Sequence, residues 1–586
     1  MYDRWSLDVF YTGIDDPKIE KDFEEWEKLN ADYRKKVLGV SSEDTVKAIE
    51  EILLLKEQIL NVTNRLFVYF RLRKSANNSD KEGNSYRTRI TELSSANAKE
   101  DVIFVKYIGE IRDLDDVIEK SELLKEYGFY LRNIRSEVEH SMDGDAEYAF
   151  SRLSSAAGLA WAEQYAYLMS NTKFEVLGEK RSFNQLQTLA KSSDRNERIA
   201  AYEAQLAHYP AITDALAFSV NNIKLHVLTE AELRGYESPL EMTLAQTHIK
   251  RETVDAMWTA VIESFPKFRE YLKHKAKLLG HKNGLPWYDI YQPVGNAVSK
   301  PYTVEEAHRY LVEHFASFSS DMSEMMDKAF KEDWIDFYSR PGKSGGAFCY
   351  GLTWFGEARI LTNYAGNFGA VNTLAHELGH AFHSMQTKLN RPLNRLNPLP
   401  VSETASTFNE IFLMNDAIAN AEGDDKIVLL DKQITDALMI LPDMYIRYRT
   451  EDELINRRRN GFVYADEINR LMTDTQKEVY GDALDNDYLY PYIWCDKSHY
   501  YSAKRTYYNY PYAFGGLFGR GLYAKYLEEG DSFVPKYREM LRQTPMKTVE
   551  DAALVMGIDL SDVNFWRKSI STVCESIDLF IKETSK

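Results

Sequence analysis

The sequence predicts a mainly α-helical fold with a small β-sheet, and three observations support that prediction. From about residue 15 to 335, apolar residues recur at three- and four-residue spacing, which is the period of amphipathic helices. Proline is sparse, with 16 residues in a chain of 586. Between about 285 and 366 the pattern changes to short aromatic or β-branched segments, which predict a few strands: WYDIYQPV, DWIDFYSR, GAFCYGLTW and ARILTNY.

Composition excludes several classes of protein. The net charge of −18 argues against a nucleic-acid partner or an anionic membrane surface, because both recruit clustered Lys and Arg. Three cysteines cannot form a disulfide framework, which favours a reducing compartment. The opening MYDRWSLDVFYTG predicts no signal peptide, and no stretch reaches about 18 uncharged apolar residues. We therefore expect a cytoplasmic protein with no membrane or nucleic-acid partner.

One segment, NTLAHELGHAFHSMQ at 372–386, carries three histidines around a glutamate. On a helix His376, His380 and His383 would form one stripe, with apolar residues on the opposite side. Two neutral imidazoles one turn apart can hold a zinc ion at about 2.0–2.1 Å. Glu377, rotated to the side of that pair, could reach a water on the metal without ligating it. The segment therefore predicts a catalytic zinc site.

A catalytic zinc needs a third protein ligand and an open position for water. Downstream, TKLNRPLNRLNPLPVSETASTFNEIF predicts a proline-rich loop and a second helix, and such a hairpin would bring Glu403 towards the two histidines. Glu410 is the rival for third ligand, but it lies two turns further on and better suits a carboxylate that orients an imidazole N–H. His383 stands where the three-histidine variant of the motif has glycine, so we expect it to pack beside the ligands.

Two further segments could contact a peptide. SHYYSAKRTYYNYPYAFGG at 498–516 offers one histidine and six tyrosines, whose N–H and O–H groups could stabilise charge on a carbonyl oxygen. GGAFCYG at 345–351 is a candidate sheet edge to which an extended peptide could add, with contacts expected at Gly346, Phe348 and Tyr350. An ordinary surface hairpin fits this second segment equally well.

Together these segments resemble the oligoendopeptidase F branch of the thimet oligopeptidase family of zinc peptidases. The likeness covers about 340 to 525 and rests on TLAHELGHAFHSMQ, VSETASTFNEIF, SGGAFCYGLTWFGEARILTNYAGNFG and SHYYSAKRTYYNYPYAFGGLFGRGLYA, with the opening RWSLDVFY also similar. The resemblance implies that His376, His380 and Glu403 bind one zinc ion per chain and that Glu377 is the general base.

The resemblance also implies that His499, Tyr507 and Tyr510 contact the substrate carbonyl. The chain departs from the family pattern here, because Tyr500 and Tyr507 stand where similar sequences often have Phe. If Tyr507 only fills a Phe pocket, Tyr508 with Tyr510 would be the working pair.

The implied fold is a helical ellipsoid that encloses a deep substrate channel, with the small sheet beside the zinc helix. We expect an N-terminal helical domain at 1–190 and a catalytic domain at 191–586.

The implied function is hydrolysis of internal bonds in short unstructured peptides, by Glu-assisted attack of a zinc-bound water. One alternative is a dipeptidyl carboxypeptidase-like zinc peptidase, which would need a cation for the terminal carboxylate. The other is a non-catalytic helical peptide-binding protein, which would have no need of Glu377.

Overall fold

The computed structural model describes residues 3–40, 44–295 and 301–586, and it confirms a mainly helical protein with little strand. Along residues 3–295 the elements are α1 (Lys18–Leu38), α2 (Thr45–Ala76), α3 (Asn84–Ser95), α4 (Ala98–Glu110), α5 (Leu114–Glu119), α6 (Glu122–Glu126), α7 (Gly128–Glu139), α8 (Gly144–Ser154), α9 (Ala160–Asn171), β1 (Lys173–Val176), β2 (Glu179–Ser182), α10 (Phe183–Leu189), α11 (Arg195–His208), α12 (Thr213–Leu233), α13 (Pro239–Thr247) and α14 (Arg251–Leu278).

Along residues 301–586 the elements include the short sheet and the helix with the His-Glu-x-x-His motif. They are α15 (Val304–Ala316), α16 (Ser320–Lys331), β3 (Ile335–Asp336), β4 (Phe348–Leu352), β5 (Glu357–Leu361), α17 (Phe368–Thr387), α18 (Leu399–Ser402), α19 (Thr404–Asn420), α20 (Gly423–Ile440), α21 (Pro442–Arg458), α22 (Ala465–Tyr480), α23 (Ile493–Asp496), α24 (Tyr510–Glu529), α25 (Phe533–Gln543), α26 (Val549–Leu554) and α27 (Val563–Thr584). No helix in the described ranges is long and apolar enough to cross a membrane.

The chain forms two compact units, each built from three separate stretches of sequence. Unit one comprises Met1–Ser141, Ser299–Leu413 and Tyr526–Gly557, and unit two comprises Met142–Val298, Met414–Lys525 and Ile558–Lys586. The boundary expected between 190 and 191 lies inside unit two. Because each unit is built from three separate stretches of the chain, one boundary in the sequence cannot divide them. The extent of the catalytic domain stays a prediction.

The sheet of unit one has the strand order β3-β5-β4, with β5 parallel to β3 and antiparallel to β4. The N-terminal segment lines β3, since Asp333 O accepts from Ser6 N at 2.8 Å and Asp3 O accepts from Phe337 N at 3.2 Å. Strand β4 forms the other edge. A side chain at Gly351 of β4 would place its Cβ only 2.1 Å from Ser384 Oγ of α17. The small sheet therefore packs directly beside the motif helix, as predicted.

The core of unit one holds this sheet in place. Leu352 of β4 and Leu361 of β5 are fully buried in a cluster with aromatic residues of the N-terminal segment, α1 and α2. Burial of such a cluster supplies the main stabilisation of a sheet this small. The N-terminal segment, α1 and α2 thus support β4 from one side.

Three of the four predicted strand segments are strands, and WYDIYQPV is not. Its first residues form the 3₁₀ turn Trp287–Asp289. The buried carboxylate of Asp289 accepts hydrogen bonds from the Arg198 guanidinium at 2.7 and 2.9 Å. An ion pair between side chains therefore holds this segment in place. The residue pattern of the segment alone could not distinguish such a turn from a strand. The hairpin β1–β2 was not predicted, because its strands are only four residues long.

Candidate metal centre and active site

Helix α17 presents the motif as its sequence predicts. Asn367 caps the helix, its side chain accepting from Ala370 N at 2.9 Å. Val371, Leu374 and Leu378 are fully buried on the apolar side. The side chains of His376 and His380 retain 24% and 23% exposure on the other side.

Three side chains, those of His376, His380 and Glu403, lie close enough together to bind one metal ion. One possible ligand atom from each lies within 4.8 Å of the other two. Oε2 of Glu403 is 3.3 Å from Nε2 of His376 and 3.5 Å from Nε2 of His380. Ligand atoms about 2.0–2.1 Å from a tetrahedral zinc lie about 3.3–3.4 Å from one another. The protein groups therefore fit a zinc ion without rearrangement of the backbone.

The close approach of α17 and α19 depends on Gly379. A Cβ at this position would lie 2.6 Å from both Ala405 O and Ser406 Cα. Asn409 adds a link between the helices, donating from Nδ2 to Ala375 O at 3.1 Å. Sequence analysis missed both residues, although the glycine inside the motif was the signal that could have indicated a tight crossing.

The electrostatics of the cluster favour a cation. Burial alone would lower the pKa of His376, but its contacts with Glu403 and Glu410 outweigh burial and raise the pKa to about 10. Burial alone would raise the pKa of Glu403, but its contacts with His376 and His380 lower the pKa well below the usual range. Both shifts favour positive charge at the point where these side chains converge.

Glu410 lies beside the cluster and outside it. Its Oε1 is 3.4 Å from Nδ1 of His376 and accepts from Nδ2 of Asn372 at 3.4 Å. This contact is on the opposite ring nitrogen from the one that faces Glu403. Glu410 therefore contacts the His376 ring on the side away from Glu403, and its role in orienting that ring stays a prediction.

Glu377 is placed as a base would be. It is 5% exposed, and its Oε2 has no hydrogen-bond partner among the described residues. Burial raises the pKa of this carboxyl, and the neighbouring His376 and His380 lower it in part. Buried carboxylate oxygens are normally satisfied, so an unpartnered one beside a metal site is a candidate for contact with a reacting molecule.

His383 does not join the cluster. Its side chain is buried, and its Nε2 lies 2.9 Å from Oγ1 of Thr544, which in turn donates to Asn397 Oδ1 at 2.8 Å. Burial lowers the pKa of His383 to about 3, so the ring is neutral. The contact ties α17 to the loop that precedes Glu403.

The predicted peptide-contacting residues lie at the sheet edge, but their side chains pack on the protein. Phe348 lies against Trp5 with ring centroids 6.2 Å apart, and Arg71 covers the Tyr350 ring at 5.5 Å. Gly346 has φ +77° and its carbonyl accepts from Asn363 Nδ2 at 2.8 Å. Any peptide contact on this strand would therefore come from main-chain groups.

Unit two carries the predicted donor segment, defined here as residues 498–510. The hydroxyl of Tyr507 is already engaged, donating to Asp452 Oδ1 at 2.8 Å. The Tyr510 hydroxyl lies 2.5 Å from Oγ1 of Thr247, and both tyrosines are buried. Both hydroxyls therefore already have partners within unit two.

Tyr508 is placed differently. It is partly exposed, and its ring lies 5.1 Å from that of His499 and 5.6 Å from that of Tyr512. The Nδ1 atom of His499 is buried without a hydrogen-bond partner among the described residues. Burial, followed by the charge of Arg447, lowers the pKa of this histidine. Tyr512 lies just beyond the donor segment, and no sequence pattern distinguished it from the tyrosines within the segment.

Comparison with known proteins places this geometry in a family. The model of peptidase family M3 matches residues 188–563. Oligopeptidase PepF of Bacillus subtilis (strain 168) is 23% identical over 580 residues, covering 95% of this chain and 84% of the relative. A putative peptidase structure from Chlamydophila abortus superposes with a TM-score of 0.85 at 19% identity, covering 99% of this chain and 98% of that chain. Oligoendopeptidase-F from Enterococcus faecium superposes with a TM-score of 0.71 at 17% identity, covering 97% and 99%.

The family match spans well over half of the chain and includes the motif helix, Glu403 and the donor segment. The resemblance found in the sequence is confirmed: the chain is a peptidase of family M3, on its oligoendopeptidase F branch.

Proposed function

We propose that the chain is a zinc-dependent oligoendopeptidase that hydrolyses internal bonds of short unstructured peptides in the cytoplasm. The observation that supports it most directly is the convergence of His376, His380 and Glu403 beside the unpartnered carboxylate of Glu377. A protein that only bound peptides would have no use for a buried, unpaired base at that position.

In this proposal His376, His380 and Glu403 hold one zinc ion, and Glu410 orients the His376 ring. Zinc, when bound, would supply a Lewis acid for the scissile carbonyl. Glu377 would accept a proton from the attacking water and deliver it to the leaving amine. The raised pKa of this carboxyl suits both steps, because a stronger base takes the proton more readily and its acid can still release it.

Strand β4 would bind the substrate backbone. One edge of the sheet is lined by the N-terminal segment, whereas β4 pairs on one side only, with β5. Addition of an extended peptide would satisfy the main-chain groups of β4 near Gly346, Phe348 and Tyr350. Folded proteins present few free extended segments, which would restrict substrates to flexible peptides. The substrate channel stays a prediction.

The roles of His499, Tyr507 and Tyr510 as donors to the substrate carbonyl also stay predictions. The contacts within unit two favour Tyr508 over Tyr507 and Tyr510, because the hydroxyls of the latter two are buried against Asp452 and Thr247. We therefore assign the donor role to His499 and Tyr508.

A peptide-library digest tests the proposal. Zinc-loaded protein should cut inside peptides of oligomeric length, with cleavage positions mapped by mass spectrometry, and a parallel digest with Glu377→Gln should show no cuts. Uniform release of C-terminal dipeptides, abolished by C-terminal amidation, would replace the endopeptidase assignment with the carboxypeptidase alternative. Absence of cleavage despite full zinc loading would remove the catalytic assignment.

A further inference from the structure

The donor segment contains a stretch with no regular structure, from Ser502 to Asn509, between a 3₁₀ turn at Ser498–Tyr501 and helix α24. Within it Tyr507 adopts φ +52°, a left-handed conformation that is uncommon for a residue with a bulky side chain. Such a conformation persists only where surrounding contacts impose it. The contacts that impose it here converge on one carboxylate.

Glu451 of α21 is that carboxylate, and it is fully buried. Its Oε1 accepts from Thr506 Oγ1 at 3.0 Å and from the backbone N–H of Tyr507 at 3.2 Å. Its Oε2 accepts from Asn509 Nδ2 at 3.4 Å. Three anchor points, at Thr506, Tyr507 and Asn509, therefore lie on both sides of Tyr508 in the chain.

Lys224 of α12 supplies the opposing charge. Its Nζ lies 2.6 Å from Oε1 of Glu451, and both side chains have no exposed surface. A buried carboxylate without such a partner would be strongly unfavourable. Replacement of a buried ion pair by apolar residues of similar size is often tolerated, so both partners can be exchanged together in a test.

The remaining contacts of α21 point to the same segment. Asp452, the next residue, accepts from the Tyr507 hydroxyl, and the carbonyl of Arg447 accepts from Tyr500 OH at 3.1 Å. The Tyr448 ring lies 5.6 Å from that of Tyr507. One helix thus contacts both ends of the segment, next to His499 and next to Tyr508.

We propose that Glu451 is the positioning residue of the donor segment: its carboxylate holds Thr506, Tyr507 and Asn509 so that the Tyr508 ring lies against His499. This inference rests on the proposed role of His499 and Tyr508 at the substrate. The bond network itself belongs to unit two and can be measured without reference to activity.

The test compares two variants of the full chain, each of which carries two substitutions. Glu451→Leu with Lys224→Met removes the charges together and removes all three anchors. Glu451→Gln with Lys224→Met also removes the charges but keeps an acceptor oxygen for Thr506 and Tyr507. Its amide could in addition donate to Asn509 Oδ1, which has no partner among the described residues.

The first double variant, Glu451→Leu with Lys224→Met, is called the leucine pair. Its amide hydrogen exchange at residues 506–509, measured by mass spectrometry, should be at least about tenfold faster than in wild type. We expect kcat to fall about 10- to 100-fold with KM and zinc content nearly unchanged, because a displaced donor affects the transition state most. The second double variant, Glu451→Gln with Lys224→Met, is called the glutamine pair. It should restore most of the wild-type protection from exchange and most of the wild-type kcat. A leucine pair that folds and keeps wild-type exchange and kcat would overturn the proposal, and so would a loss of kcat without faster exchange at 506–509.

Two single substitutions keep the inference testable if the leucine pair does not fold. Thr506→Val and Asn509→Ala each remove one anchor and leave the ion pair intact, and each should accelerate exchange at 506–509 several-fold. Unchanged exchange in both would overturn the proposal. His499→Ala and Tyr508→Phe report separately on the proposed function: if both retain wild-type kcat, the donor assignment fails while the exchange data still decide whether Glu451 positions the segment.

Discussion

The motif helix of unit one and the donor segment of unit two both concentrate chemically active side chains, but they hold them in different ways. Helix α17 places His376 and His380 one turn apart on a regular backbone, and the helix repeat alone sets their spacing. The donor segment is irregular, and its tyrosines are oriented by long-range contacts to α21 and α13. Periodicity therefore identified the chemistry of the first region, whereas only tertiary contacts showed which tyrosines of the second are available.

The largest effect is expected at the metal ligands. Glu403→Ala should abolish zinc binding, because it removes one of the three converging atoms. Glu410→Ala should weaken zinc affinity by only about 10- to 100-fold, since it removes a group that orients a ligand. Elemental analysis and competition with a chelator would measure both variants side by side. A larger loss for Glu410→Ala would reverse the two assignments.

The next effect concerns the base. Glu377→Gln should lower kcat by at least about 10³-fold, while zinc content and peptide affinity stay near wild type, because the amide keeps the size and loses the proton acceptor. Turnover, bound zinc and peptide binding should be measured on the same preparation. Cleavage within about tenfold of wild type would exclude Glu377 from the mechanism, and loss of zinc would identify it as a ligand.

Gly379 provides a test of the helix crossing. Gly379→Ala should weaken zinc affinity, by roughly 10- to 100-fold, because its Cβ would push against Ala405 and Ser406 just after Glu403. Gly369→Ala is the matched control, since that glycine lies exposed in the first turn of the same helix and its Cβ would approach only Asn367 Oδ1, at 3.3 Å. Equal zinc affinity in the two variants would show that the crossing tolerates a methyl group.

The two adjacent tyrosines of the donor segment should differ. Tyr508→Phe should lower kcat about 10- to 100-fold, as the loss of one preorganised donor does. Tyr507→Phe should instead lower the free energy of unfolding by about 1–2 kcal/mol through the lost hydrogen bond to Asp452, with a smaller effect on kcat. Steady-state kinetics and denaturant unfolding of both variants would show which tyrosine contributes to catalysis and which contributes to stability. A larger kcat loss for Tyr507→Phe would restore the role predicted from sequence.

The last effect concerns stability and not catalysis, and it is a pH dependence near the start of the donor segment. Burial raises the pKa of Asp496 to about 6, against hydrogen bonds from Tyr209 and Tyr490 that lower it. A folded-state pKa above the unfolded value of 3.8 means that the folded state binds more protons between about pH 4 and 6, so this group's contribution to stability falls as pH rises through that range. Asp496→Asn should flatten this part of the stability profile by about 1–3 kcal/mol, measured by denaturant unfolding at each pH. An unchanged slope would assign the titration to other groups.

The sequence by itself determined the helical class, the motif helix and the family, and it predicted that Glu403 returns close to the two histidines, although Glu403 lies in the turn between α18 and α19 and not within a helix. These follow from short-range periodicity and from residue types whose chemistry is specific. Tertiary structure decided the close crossing at Gly379, the edge position of β4 and the engagement of Tyr507 and Tyr510, because each depends on contacts with residues far away in the chain. Glu451 shows the difference most clearly: in sequence it is one acidic residue on a charged helix, and its burial against Lys224 and the donor segment exists only in the folded chain.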